Sequence, residues 1–75
     1  MFPMDKETLL KNLGARIREI RKEKGMSQKK LAHTIGKDQQ SIQRLEAGNI
    51  NPTYFYLHEI SEGLEVDLEH IIVPK

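Results

Sequence analysis

Residues 28 to 48 hold two short helical patterns separated by one glycine, and this segment limits the fold more than any other. Apolar residues recur at helical spacing on both sides of the glycine: Leu31, Ala32 and Ile35 before it, Ile42 and Leu45 after it. Gly36 lies where a tight turn between helices needs a residue that accepts positive φ. Asp38 is a suitable N-cap for the second helix, and Gly48 is a suitable end for it. The segment therefore predicts two helices joined by a turn of a few residues.

The second of these helices, predicted over residues 39 to 47, carries long polar side chains opposite its apolar residues. These side chains are Gln39, Gln40, Gln43 and Arg44. Glutamine pairs bidentately with the adenine edge and arginine with the guanine edge in the DNA major groove. Two helices joined by a short turn, the second with such a face, form a helix-turn-helix unit. We therefore expect the four side chains to contact bases.

Charge is distributed unevenly along the chain. Residues 11 to 44 contain ten basic and three acidic side chains, giving +7, whereas residues 45 to 75 contain one basic and six acidic ones, giving −5. Residues 1 to 10 contribute −1, so the net charge of +1 hides a basic and an acidic half. This polarity favours a polyanion at one face and solvent or a partner at the other.

The composition is that of one small domain over residues 1–75. A chain of this length buries only about 60% of its unfolded surface, so a partner subunit would add burial. The absence of cysteine excludes disulfides and thiolate metal sites and fits a reducing cytoplasm. No apolar run approaches the ~20 residues of a membrane span, and residues 1 to 4 are too short for a signal peptide. We expect a cytoplasmic protein without membrane contact or cofactor.

Further helices flank the central pair. Residues 5 to 24 form a long amphipathic pattern, which Gly14 interrupts at a cost of ~1 kcal/mol relative to alanine. We therefore expect the first turns to fray, with residues 1–8 as a loose N-terminal arm. A fourth helix is predicted near residues 54 to 63, and a short fifth helix follows. The expected N-caps of the five helices are Asp5, Ser27, Asp38, Thr53 and Asp67.

Residues 13 to 52 resemble the helix-turn-helix of the phage Cro and repressor family, also called the XRE family. The spacing agrees throughout, and the resemblance extends over roughly residues 9 to 72. The matching residues are Leu13, Gly14, Ile17, Arg21, Gly25, Ser27, Gln28, Leu31, Ala32, Gly36, Ile42, Glu46, Gly48 and Pro52. The resemblance implies an all-α, compact five-helix bundle like that of lambda repressor. It also implies a transcriptional regulator that binds double-stranded DNA in a sequence-specific way.

The resemblance further implies one side chain that contacts the DNA backbone. Gln28 opens the second helix, where free N–H groups favour a phosphate, and its match to the family implies a side chain clamped to that phosphate. The other expected phosphate contacts are Ser41, Lys29, Lys37, Asn49, Asn51 and Arg16. Arg21 and Glu46 resemble a pair that forms a partly buried salt bridge in related repressors. We expect this pair to be structural.

The chain departs from the family pattern in two places. Arg44 replaces the glutamine of the most similar phage repressors, which leaves the bases read there open. Asn49 and Asn51 stand where many relatives have lysine or arginine, so amide-to-phosphate hydrogen bonds are expected instead of ionic contacts. Ser41 stays open between a phosphate contact, a base contact and neither.

A homodimer is expected because one recognition helix reads only a few base pairs. The acidic half holds more apolar residues than one small core can use, so we predict an interface of Leu68, Ile71 and Ile72, centred on Ile71 or Ile72. Alternatives are an antitoxin that also binds a toxin, a restriction–modification controller protein, and a protein-interaction module on the same fold. Catalysis is not indicated, since Ser41 has no readable triad partners and the three histidines share no metal-ligand spacing.

Overall fold

The computed structural model describes residues 5–73, which form five α-helices and no strand. The helices are α1 (Lys6–Glu23), α2 (Gln28–Thr34), α3 (Gln39–Glu46), α4 (Tyr54–Leu64) and α5 (Leu68–Ile72). This confirms the predicted all-α fold of five helices. Residues 1–4 of the predicted arm lie outside the described residues, as do residues 74 and 75.

Side-chain caps begin the first four helices at the predicted residues. Asp5 accepts a hydrogen bond from the Thr8 backbone N–H at 2.8 Å, and this bond lowers the pKa of the Asp5 carboxyl below its usual value. Ser27, Asp38 and Thr53 accept the corresponding bonds at the starts of α2, α3 and α4. The prediction for Asp67 is wrong in one respect. It occupies the N-cap position of α5, but its carboxylate makes no capping hydrogen bond.

Nine side chains drawn from all five helices form one core. They are Ile17, Ile20, Leu31, Ala32, Ile42, Leu45, Ile60, Leu64 and Ile71, each at most 3% exposed. Full burial of a side chain of this size contributes about 1.5–3 kcal/mol relative to exposure. Removal of these residues from water therefore holds the short helices α2, α3 and α5 in place, none of which would be stable alone.

The helix-turn-helix has the predicted glycine turn. Gly36 ends α2 with a φ of +71°, a conformation in which a Cβ would be strained. The backbone N–H of Lys37 then donates to the Ala32 carbonyl at 2.8 Å, which closes the turn before α3 begins. Ala32 itself is 2% exposed, in keeping with a small residue at the crossing of two helices.

The prediction that α1 frays before Gly14 is wrong for residues 6–8, which lie within a continuous helix. Gly14 is buried at the closest approach of α1 to α3. A Cβ there would lie 2.4 Å from the carbonyl oxygen of Leu45 and 2.5 Å from that of Glu46. Glycine lowers the helix propensity of α1 slightly, but it allows the backbone of α1 to pack directly against the end of α3.

Candidate DNA interface

The exposed face of α3 carries the four predicted base-contacting residues. At 100° per residue, Gln39, Gln43, Gln40 and Arg44 fall within an arc of about 140°, and all four are exposed. Ile42, Leu45 and Glu46 occupy the buried side. Within the described part of the chain, none of the four polar side chains makes a hydrogen bond or ion pair. Their donors and acceptors are therefore available to an outside partner.

A buried network fixes α3 to the start of α2. Arg21 donates through Nε to Glu46 Oε2 at 2.6 Å and through Nη2 to Glu46 Oε1 at 3.0 Å, which is the predicted salt bridge. Arg21 also donates to the Met26 carbonyl at 2.7 Å. The amide of Gln28 donates to Glu46 Oε1 at 3.0 Å, a bond that the sequence analysis missed. The amide oxygen and the second amide N–H of Gln28, the first residue of α2, are not used in this bond.

A second cluster consists of Lys37, Ser41, Tyr56 and Glu59. The Ser41 and Tyr56 hydroxyl groups lie 2.5 Å apart and share a hydrogen bond. The ammonium of Lys37 lies 5.4 Å from the centre of the Tyr56 ring and 3.4 Å from Glu59 Oε1. The structure thus brings together two predicted phosphate contacts, Lys37 and Ser41. Sequence analysis gave no role to Tyr56.

The remaining predicted phosphate contacts divide into two groups. Lys29, in the first turn of α2, and Asn49 and Asn51, in the loop after α3, are exposed. Arg16, in contrast, is partly buried and already has partners within the chain. Its Nε donates to the His70 carbonyl at 3.2 Å, Nη2 lies 3.2 Å from His70 Nε2, and Nη1 pairs with Glu19. Its side chain is only 14% exposed, so the prediction of Arg16 as a phosphate contact is wrong.

The three predicted dimer residues occupy different environments. Ile71 is 3% exposed and belongs to the core, so its prediction as the centre of an interface is wrong. Ile72 is 49% exposed, and Leu68 is half-buried. A five-residue helix packed on one side buries only one of two adjacent isoleucines. Ile72 and the 56% exposed Val73 border a largely apolar groove of about 410 Å³, whose opposite wall includes Leu9 and Leu13 of α1.

None of the described helices is long and apolar enough to cross a membrane. Residues 17–71 match the family model described as helix-turn-helix, HTH_3. The chain is 33% identical over 64 residues to a Sinorhizobium fredii protein, y4dJ, described as an uncharacterized HTH-type transcriptional regulator. That match covers 85% of this chain and 83% of the relative. The chain therefore belongs to the XRE-type helix-turn-helix family of transcriptional regulators.

Two solved structures of restriction–modification controller proteins are similar to this chain. C.AhdI from Aeromonas hydrophila superposes with a TM-score of 0.81 and is 29% identical, over 83% of this chain and 94% of C.AhdI. Wild-type C.Esp1396I superposes with a TM-score of 0.75 and is 39% identical, over 79% of this chain and 78% of C.Esp1396I. Both confirm the fold, since each similarity extends over most of both chains.

Proposed function

We propose that this DNA-binding transcriptional regulator reads a specific duplex sequence by inserting α3 into the major groove. The observation that carries the proposal is the exposed arc of Gln39, Gln40, Gln43 and Arg44. Their hydrogen-bonding groups have no partner among the described residues, and glutamine and arginine match base edges bidentately. The surrounding basic half of the chain, +7 over residues 11 to 44, supplies attraction to phosphate.

Phosphate contacts set the register of α3 in the groove. Gln28, fixed by Glu46 at the end of α3, is the primary candidate because the same bond ties its position to that of the recognition helix. Lys29, Lys37, Ser41, Asn49 and Asn51 are the proposed additional contacts.

The active form is proposed to be a homodimer. Ile72 and Val73 are about half exposed beside an apolar groove that also includes Leu9, and exposed apolar surface of this kind favours a protein partner. Pairing through α5 brings together the acidic, apolar half of each chain and leaves the basic half free. Two recognition helices would then meet half-sites about one helical turn apart, ~34–36 Å.

A restriction–modification controller is the second candidate, and the similarity to C.AhdI and C.Esp1396I over most of the chain favours it. A methyltransferase gene beside the gene for this chain would support that candidate. A toxin gene in the same position, with co-purification of its product, would support the antitoxin alternative instead.

Selection of bound sites from a random duplex library tests the proposal. We expect a two-fold symmetric consensus, and an affinity whose logarithm falls linearly with log salt at about −0.9 per phosphate contacted. A flat salt response with no enriched sequence would refute DNA recognition. An enriched but asymmetric single site would refute the dimer alone.

A further inference from the structure

Tyr56 makes two side-chain contacts that join α4 to the beginning of the recognition helix. Its hydroxyl bonds to Ser41, which lies in the first turn of α3. Its ring lies under the ammonium of Lys37, two residues before that helix begins. The two contacted residues are four positions apart and bracket Gln39 and Gln40. One tyrosine therefore contacts both sides of the segment that begins the proposed base-reading face.

The hydroxyl pair leaves one donor unused. Ser41 and Tyr56 have two O–H protons between them, and the bond between their oxygens uses one. Phosphate oxygens only accept hydrogen bonds, so a free O–H beside an ammonium is the chemistry that recognises them. At 100° per residue, Ser41 lies about 60° around α3 from Arg44, at the edge of the exposed arc. The hydroxyl pair thus lies next to the exposed arc, on the side of α3 that contacts α4.

Lys37 is held in place before any DNA arrives. Its ammonium lies over the Tyr56 ring and 3.4 Å from Glu59 Oε1, yet its side chain remains 38% exposed. A lysine otherwise loses much rotamer freedom when it binds a phosphate, and a lysine already confined loses less. Glu59 already pairs with this ammonium, so a phosphate that binds Lys37 shares or competes for the charge with the Glu59 carboxylate.

We propose that Tyr56 is a positioning residue of the DNA interface, which holds Lys37 and Ser41 so that both address one stretch of phosphate backbone. This inference rests on the proposed DNA-binding function. It adds a residue outside the helix-turn-helix segment and gives the aromatic ring and the hydroxyl separate tasks: the ring confines the Lys37 charge, and the hydroxyl orients Ser41.

The test uses a random-sequence duplex, because phosphate contacts do not depend on base sequence. Tyr56→Phe keeps the ring and removes the hydroxyl, so affinity should fall by about threefold to tenfold with an unchanged salt slope. Tyr56→Leu removes both contacts, so affinity should fall further and the slope should become less steep by up to about 0.9, approaching that of Lys37→Ala. Tyr54→Leu is the matched control, because Tyr54 is the first residue of the same helix and is 75% exposed. This variant should bind DNA like the parent.

Each outcome bears on a different claim. Parent protein without salt-dependent binding would refute the proposed function itself. Parent binding with affinity and slope unchanged in both Tyr56 variants would overturn the positioning role and leave the function intact, even if their melting temperatures fall. If Tyr56→Leu fails to fold, Tyr56→Phe, Ser41→Ala and the double variant decide the matter. Each single substitution breaks the same hydrogen bond. The fold-loss of DNA affinity in the double variant should therefore be smaller than the product of the two single fold-losses. Fully multiplicative losses would overturn the proposal.

Discussion

The guanidinium of Arg21 and the carboxylate of Glu46 meet in a two-point ion pair between α1 and the end of α3, with N–O distances of 2.6 and 3.0 Å. Both side chains are nearly inaccessible to solvent, at 8% and 3% exposed. Burial of two charges is costly, and the pair is retained because each charge has further partners, Met26 for the arginine and Gln28 for the glutamate. This ion pair thus connects α1 to α3, and through Glu46 it also connects both helices to Gln28, the proposed phosphate contact.

Glu46→Ala should lower the free energy of unfolding by about 2–4 kcal/mol, because it leaves the Arg21 charge buried without its counter-ion. Adding Arg21→Met should restore part of that loss. Glu7→Ala, which breaks the exposed ion pair with Lys11, is the control and should change stability by less than about 0.5 kcal/mol. Urea unfolding followed by circular dichroism measures all three. Equal stabilities for Glu46→Ala and Glu7→Ala would contradict this account.

Gly14→Ala should destabilise the fold by about 1–3 kcal/mol, because the new Cβ would meet backbone atoms of Leu45 and Glu46 that cannot rotate away. Gly63→Ala is the matched change in α4. Its Cβ would lie 2.6 Å from Ile35 Cγ2 and 2.9 Å from Leu31 Cδ1, which are side-chain methyl groups rather than backbone atoms, and Ile35 is only partly buried. The helix-propensity gain is the same at both sites, ~1 kcal/mol, so Gly63→Ala should be clearly the milder in thermal melts. A milder Gly14→Ala would show that α1 and α3 tolerate separation.

Gln40→Ala should weaken binding to the selected site by about 1–3 kcal/mol and leave random DNA nearly unaffected, as expected for a base contact. Gln28→Ala should weaken both by similar factors, because its proposed contact is a phosphate. Anisotropy titrations on the two duplexes, well below the melting temperature of each variant, separate these effects. The assignment of roles fails if both substitutions change specific and random binding equally.

Ile72→Asp should give a folded monomer, whereas Ile71→Asp should unfold the chain, although the two residues are adjacent. The difference follows from their exposed fractions, 49% for Ile72 and 3% for Ile71. Dimer loss should reduce affinity for a symmetric site by orders of magnitude, since each subunit then binds alone. Light scattering and circular dichroism distinguish the two variants. A parent protein that is monomeric at high micromolar concentration would argue against a preformed dimer through α5.

The elements of the fold could be predicted because their signals are local. Gly36 and the caps at Ser27, Asp38 and Thr53 depend on backbone geometry within a few residues of each. What could not be predicted depends on distant partners. Gly14 looks like a weak point in a helix until α3 lies against it. Arg16 looks like a free cation until its partner at His70, 54 positions away, is known.

The same limit applied to the site. The spacing of polar residues along α3 was enough to predict that Gln39, Gln40, Gln43 and Arg44 share an exposed face, because helical periodicity determines which residues lie on one side. Their role as base contacts stays a prediction. Tyr56 was missed because its contacts join α4 to residues distant in sequence, Lys37 in the turn before α3 and Ser41 in α3. The choice between Ile71 and Ile72 stayed open because a helix of five residues is too short for periodicity to show which of the two side chains is buried.

The exposed side chains of α3 make no hydrogen bond to the other described residues, and this has a consequence for evolution and engineering. Exchange of Gln39, Gln40, Gln43 and Arg44 breaks no side-chain hydrogen bond or ion pair among the described residues, and the buried residues of α3 are Ile42, Leu45 and Glu46. If α3 reads bases as proposed, target preference and foldability are encoded by separate residues of one eight-residue helix. A library randomised at the four exposed positions should consist largely of folded proteins and should yield regulators with new DNA sequence preferences.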